Sequence, residues 1–426
     1  MKRIRRNFPP ALWLVLFCIM FTGCAEPDIL DNIPRDFALS RGMTEEASEE
    51  AKEETSTEEP PSDEASGEAE IPAVCFLMEE AGSYACGTLS EAEQIWYRDI
   101  ERILGSFGTE EELSREGIGA GLDEAAVDRI FQCVLSDHPE LFYVEGYSYT
   151  KYTRGDRLTS IHFSGTYNTD VDTAVVRSEE IRTAAEQILA GIDRNAGQYE
   201  KVKYVYDTII RNTDYDMNAP DNQNIYSVFI HHASVCQGYA KAAQYLLDRL
   251  GVECTLVLGT VETGEGHAWN LVKVDGEYYY LDATWGDVSY QMEDAQPAEG
   301  AAQNAMPEIN YDYLNVTTRE LLRTHSVSDE IPMPLCTATE ANYYVREGAL
   351  FREYDREQMA ELFSGAAQEQ RQDVTIKCAD AVCYEEILKA LIEEQEIFQY
   401  LSDGESKIAY AQNEKQLSLT FWVTNE

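Results

Sequence analysis

Two strand-like stretches, 266–274 and 277–284, are separated by Asp275-Gly276 alone, and no other feature constrains the fold as tightly. An Asp-Gly pair admits positive φ at both central positions of a two-residue turn, so it joins antiparallel strands whose twist it matches. Upstream, 236–250 carries a helical pattern, with Ser234 as its expected N-cap and Gly251 as the residue just past its end. Cys236 then falls in the first helical turn. A short apolar run, 254–260, reads as a buried strand. A helix followed by a strand meander is an α+β arrangement.

This arrangement brings three reactive side chains toward one another. Thiol chemistry needs the thiolate, which a helix N-terminus and a neighbouring imidazolium both favour. Cys236 has the first by position. The offsets from the turn, 275 − 267 = 8 and 282 − 276 = 6, put His267 and Asp282 nearly level across the hairpin. Asp282 can hold the imidazole by one ring nitrogen while the other faces Cys236. Trp269 and Gln237 are the candidates for oxyanion or site support. His138, His162 and His325 have no spaced partners and read as structural, and Asp287, after Gly286, reads as a turn residue.

The motifs SVCQGYAKAAQYLLDRLGVECTLVLG and GHAWNLVKVDGEYYYLDATWGD resemble the transglutaminase-like domains of bacterial surface proteins. The resemblance covers about residues 180 to 330. It extends more weakly to DHPELFYV at 137–144 and NYYVREGALF at 342–351. It implies a papain-like α+β core in which Cys236 is the nucleophile, His267 the imidazole and Asp282 the carboxylate. The implied activity is acyl transfer through a thioester on protein or peptide amide bonds: crosslinking, deamidation or proteolysis. A catalytically inactive binding module on the same fold is the alternative. His231-His232 precedes the cysteine where the family more often has a glycine-containing turn.

On either side the pattern calls for α+β extensions. The N-terminal one, 71–180, shows helices at 89–107 and 125–135, then strands at 147–153 and 159–167 about an Arg-Gly-Asp turn. Pro139 should end the second helix. Further helices are expected at 178–192 and 199–212. The C-terminal segment, 331–426, reads as a small separate domain: a hairpin at 342–354, a helix at 358–368, a strand at 374–378, a long helix at 384–400 and a closing hairpin at 408–423.

The N-terminus carries an address. Lys2, Arg3, Arg5 and Arg6 precede an eleven-residue apolar stretch, 11–21, which is too short to span a bilayer as an ordinary helix. Phe21-Thr22-Gly23-Cys24 resembles a bacterial lipobox, which implies a signal peptide over 1–23, a lipid on Cys24 and a protein facing outward on the cell membrane. Residues 24–70 then form an acidic tether. Their 41–70 portion is Glu, Ser, Thr, Ala and Pro with almost no apolar side chain, so it is expected to stay disordered and extended.

The net charge, 33 − 78 = −45, excludes a nucleic-acid partner, because phosphate recognition needs a basic face. The expected partners are a protein or peptide substrate at the cell surface and the membrane itself, through Cys24. Eight of the ten cysteines lie beyond the export segment with no CxxC pair, so neither a metal nor any other cofactor is called for. Cys75 with Cys86 could close a short disulfide loop, and Cys133 and Cys254 read as core residues.

Overall fold

The computed structural model describes residues 18–20, 40–47, 77, 83–154, 157–288, 307–371, 373–401 and 408–423. Cys24, Cys75, the Gly-Asp part of the expected turn at 154–156 and most of the acidic tether lie outside them. Two compact units emerge. One contains Pro34–Glu186 with Asp329–Pro332, the other Gln187–Ser328 with Met333–Glu426.

In the first unit, the helix Glu91–Gly105 begins at a capping box. The Ser90 hydroxyl accepts from the Glu93 backbone, and the Glu93 carboxylate accepts from the Ser90 backbone. Asp123 caps Glu124–Asp137, which stops before Pro139 as proline geometry requires. The helices bury Trp96, Ile100, Ile130 and Phe131, with Phe163 of the hairpin Val144–Arg154 and Arg157–Tyr167 also in the core. His138 is an internal ion partner rather than a free imidazole, with Nε2 2.9 Å from Glu101 and Nδ1 2.8 Å from Glu140. Burial would lower its pKa, but the two carboxylates overcome that and push it up to about 10. His162 meets the Tyr152 ring at a tilt of 58°, with centroids 4.9 Å apart. Part of the expected disordered tether is a strand: Ser40–Ala47 pairs in parallel with Val144–Arg154. Strand pairing uses backbone groups, so an acidic segment can join it without apolar side chains.

The second unit is built on a four-stranded antiparallel sheet in the order Glu277–Leu281, Gly266–Val274, Cys254–Val261, His325–Val327. Asp275 and Gly276 both take positive φ, 52° and 92°, in the two-residue turn that the sequence calls for. The helix Cys236–Arg249 lies across Cys254–Val261 and Gly266–Val274 with Ala240, Ala242, Ala243, Leu246 and Leu247 buried. Asn270 donates from its side chain to the Ala240 carbonyl at 2.9 Å, tying helix to sheet. The helix Gln198–Asn212 packs on that helix and covers the core with Val202, Val205 and Tyr206.

The C-terminal segment belongs to this second unit and does not stand as a separate domain. Polar groups buried inside the unit account for this. Asp312 accepts from Ser418 at 2.6 Å, Asn413 at 2.9 Å and Tyr344 at 3.0 Å. Lys377, 2% exposed, sits 3.5 Å from the same carboxylate. Buried charges are costly unless paired, and separating the segment would strand several of these groups.

Two of its elements differ from expectation. The hairpin at 342–354 is a short helix, Tyr343–Arg346, capped by Asn342 and followed by Leu350–Phe351, with Gly348 at φ 66° making the turn. The long helix at 384–400 breaks into Ala381–Leu388, a π turn Lys389–Glu393 and a 3₁₀ turn Glu396–Gln399, with Gln395 left-handed at φ 63°. Apolar periodicity reports which side is buried, not whether the backbone stays helical across a bend. Cys18–Met20, inside the expected signal peptide, pairs in parallel with Tyr410–Gln412. Cleavage before Cys24 would leave Ile408–Asn413 as that sheet's edge.

Gly259 sets the seating of the edge strand. A Cβ there would lie 2.1 Å from the Ser326 carbonyl oxygen and 2.5 Å from the Trp269 ring. Both obstacles are rigid, so Gly259→Ala should destabilise the protein by about 1–3 kcal/mol, the usual cost of overpacking. Tryptophan fluorescence in a denaturant titration measures it, and an unchanged midpoint would contradict the account.

Candidate active site

Cys236 opens its helix, and the segment before it is shaped to deliver it there. His232 takes φ 56°, ψ 27°, a left-handed conformation that favours glycine and that a histidine holds here. Val235, extended at φ −114°, is the N-cap, and it makes no side-chain cap. Ser234, the expected cap, is used one step earlier. Its Oγ donates to the Asn222 carbonyl at 2.7 Å and lies 2.6 Å from Ser227 Oγ. Gly238 is required by the same packing, since a Cβ there would sit 1.9 Å from Ser234 Oγ and 3.0 Å from the Asn222 carbonyl. Cys236 is therefore held in a first turn whose backbone N–H groups have no intrahelical acceptor.

His267 is the second residue of its strand and Asp282 follows Leu281, the last residue of the next. The final register pair is Leu281 with Asn270, so Asp282 stands opposite Trp269, and His267 is its diagonal neighbour. The two are thus offset by two positions rather than level, within the reach of an imidazole. His267 Nε2–H donates to Asp282 Oδ2 at 2.8 Å. Cys236 acts on His267 electrostatically, and with Nε2 committed to Asp282, Nδ1 is the ring nitrogen left to face the thiol. Burial disfavours the imidazolium, yet Asp282 and Cys236 more than compensate and push the His267 pKa up to about 10.

Asp282 accepts four hydrogen bonds. Oδ2 takes His267 and His325, the latter at 3.0 Å; Oδ1 takes the backbone N–H of Thr284 at 2.9 Å and of Trp285 at 3.1 Å. Burial would raise its pKa, but the two imidazoles hold it well below the ordinary carboxylate value. Asp287 lies elsewhere: its Oδ2 accepts from Tyr239 at 3.0 Å. Trp269 stacks on His267 at 5.8 Å and 25°, fully buried, and its indole N–H has no hydrogen-bond partner among the described residues. Gln237 follows Cys236 and is half-buried.

His325, read as structural, stands on the carboxylate of the site, 43 residues along the chain from Asp282. No spacing rule could find it, because the edge strand that carries it is placed by pairing His325 with Val261. Among the described residues, His267, Asp282 and His325 are the one group whose donor atoms converge at the spacing of metal ligands, all within 4.8 Å. Those same atoms are joined by hydrogen bonds of 2.8 and 3.0 Å, which satisfy them without an ion.

Residues 182–283 match the family model of the transglutaminase-like superfamily. The chain carries a transglutaminase-like domain. The match takes in Cys236, His267 and Asp282 and ends before His325. The chain is similar to the solved structure of a TGase at 15% identity and TM-score 0.25, over 37% of this chain and 47% of that one. It is similar to the periplasmic domain of TgpA from Pseudomonas aeruginosa at 12% identity and TM-score 0.20, over 33% of this chain and 60% of that one. Menin matches at 16% identity and TM-score 0.23, over 47% and 43%. The chain thus spans about half the length of the TGase that it matches. No curated protein matches.

The geometry separates two carboxylates that the sequence leaves in competition. Asp282→Asn places an amide N–H₂ before two imidazole N–H donors, so it should lower kcat/KM on a transglutaminase-like substrate by about 10–10³-fold with the circular dichroism unchanged. Asp287→Asn, which still accepts from Tyr239, should stay within about two-fold of wild type. Loss in the second variant and not in the first would mean that the carboxylate is misassigned.

Proposed function

We propose that the transglutaminase-like domain is a thiol acyl transferase acting on protein or peptide amide bonds through a thioester on Cys236. The observation that carries this reading is the chain of contacts from Cys236, at a helix N-terminus, through His267 to Asp282. Cys236 Sγ attacks the carbonyl carbon of a carboxamide or peptide bond, and the backbone N–H at the start of the helix helps to stabilise the oxyanion. His267, cationic beside the thiolate, gives its proton to the departing amine as the thioester forms. An amine then takes the acyl group in crosslinking, or water takes it in deamidation or proteolysis. Asp282 keeps Nε2 protonated and the ring aimed, so that Nδ1 handles the proton at each step.

In this reading the protein is a lipoprotein, attached by Cys24 to the outer side of the cell membrane, with the acidic segment as a tether. A protein or peptide substrate at the cell surface then lies within its reach. The chemistry proposed requires no metal or other cofactor, because nucleophile, proton carrier and carboxylate all come from the chain.

Two measurements test the reading. Burial raises the pKa of Cys254 well above the ordinary thiol value and that of Cys133 to about 12, whereas Cys236 alone has a histidine partner that is held cationic. Iodoacetamide near neutral pH, followed by mass spectrometry, should label Cys236 before Cys254 and Cys133. Equal or slower labelling would remove the activated thiolate. Incubation with a peptide library and a primary-amine probe should then give incorporation or cleavage that disappears in Cys236→Ala. Peptide binding without turnover, unchanged in Cys236→Ala, would make the domain a binding module.

A further inference from the structure

We propose that His325 is a positioning residue of the site, a neutral imidazole whose Nε2–H donates to the Asp282 oxygen that His267 also uses, so that two imidazoles share one carboxylate. The inference rests on the thiol acyl-transfer reading and deepens it, by assigning a role to a residue outside the matched family stretch.

The hydrogen bonds determine the tautomer of His325. Nε2 lies 3.0 Å from Asp282 Oδ2, an acceptor, so it carries the proton. Nδ1 lies 2.8 Å from Thr324 Oγ1, whose hydroxyl can donate to it. Tyr313 OH stands 3.3 Å behind that hydroxyl and accepts from Gln416 Nε2 at 3.4 Å. A hydrogen-bonded relay therefore runs from Gln416 through Tyr313 and Thr324 to His325 and ends on Asp282. The ring is buried against Trp269 at 5.1 Å, Trp285 at 4.8 Å and His267 at 5.4 Å. A second cation there would face the His267 imidazolium across a single carboxylate. Burial accordingly lowers the His325 pKa, and the His267 charge adds to this against the pull of Asp282.

The consequence falls on His267. A carboxylate oxygen that already accepts from His325 offers less negative charge to His267 than one that serves it alone. Asp282 thus aims the imidazole and makes it cationic, while His325 limits how basic it becomes. An acid that must hand its proton to a leaving amine works better when it is not held too tightly. The titratable groups facing the cluster are Cys236 on the helix, His267 and Asp282 on the hairpin, Tyr206 on the neighbouring helix and Tyr313 before the edge strand. Burial holds both tyrosine hydroxyls above their ordinary value.

The pH profile of Cys236 alkylation by iodoacetate reads this without any substrate. Its carboxylate favours an imidazolium beside the sulfur, so the rate rises as the ion pair forms and falls when His267 loses its proton. In His325→Phe, which removes the donor, the upper limb should move to higher pH by about one unit, the scale of one charge-assisted hydrogen bond. His325→Gln, which retains an N–H donor, should restore the wild-type limb. An upper limb that stays in place, or moves down, in His325→Phe overturns the proposal. So does equal behaviour of the two variants.

If His325→Phe does not fold, the wild-type protein decides. With ¹⁵N-labelled histidine, His325 should remain the neutral Nε2–H tautomer from pH 5 to 9; a titrating His325, or the Nδ1–H tautomer, overturns the proposal. A wild type with no bell-shaped profile at all would count against the acyl-transfer reading instead.

Discussion

The carboxylate of Asp282 is the point on which the site depends. It is buried, charged and satisfied by four donors from three pieces of chain: the imidazole of the preceding strand, the imidazole of the edge strand, and two backbone N–H groups of the turn it begins. A buried anion is tolerated only when it is hydrogen-bonded and paired. Meeting that requirement orients His267, anchors the edge strand through His325, and caps the short helix Ala283–Gly286. The geometry of the site and local folding are therefore satisfied by the same contacts. The same anion makes His267 basic enough to face the thiol as a cation.

The sulfur is placed by a different device. Its position depends on a left-handed residue, a buried serine pair and a glycine two residues into the helix, none of which is reactive. Together they turn the chain so that the helix begins at Cys236. The helix is then tied down by Asn270, on the strand that also carries His267. Cys236 and His267 thus share one rigid interface. Precision of this kind comes more readily from helices and strands than from loops.

The unit is larger than the matched family stretch. The edge strand with His325, the aromatic residues around it and the C-terminal segment are bound to the core by buried polar groups centred on Asp312 and Lys377. Gln416 belongs to that C-terminal segment and still reaches Tyr313, which backs the relay to His325. The segment therefore contributes to the surroundings of the site, although it carries none of the three reactive residues.

Local rules made much of this legible in the sequence. Asp275-Gly276 specifies an antiparallel turn because both residues accept positive φ, and that turn alone brings His267 and Asp282 to neighbouring places. Apolar periodicity located the helix of Cys236, and Gly251 marked its end, since both signals act within a few residues. Local rules failed where a residue's role depends on partners far along the chain. Ser234 looked like a cap because its side chain suits one, but its hydroxyl is taken by Asn222 and Ser227. The segment 384–400 looked like one helix because periodicity cannot register the bend at Gln395. His325 read as structural because the strand that carries it is placed by pairing with Val261, far back along the chain, and the residue itself lies 43 positions from Asp282. The sequence by itself determined the hairpin that joins His267 and Asp282 and the helix that begins at Cys236, because turn chemistry and helix periodicity are short-range. Only the tertiary structure decided what the carboxylate is shared with, because a buried charge takes its donors from whatever the fold packs around it.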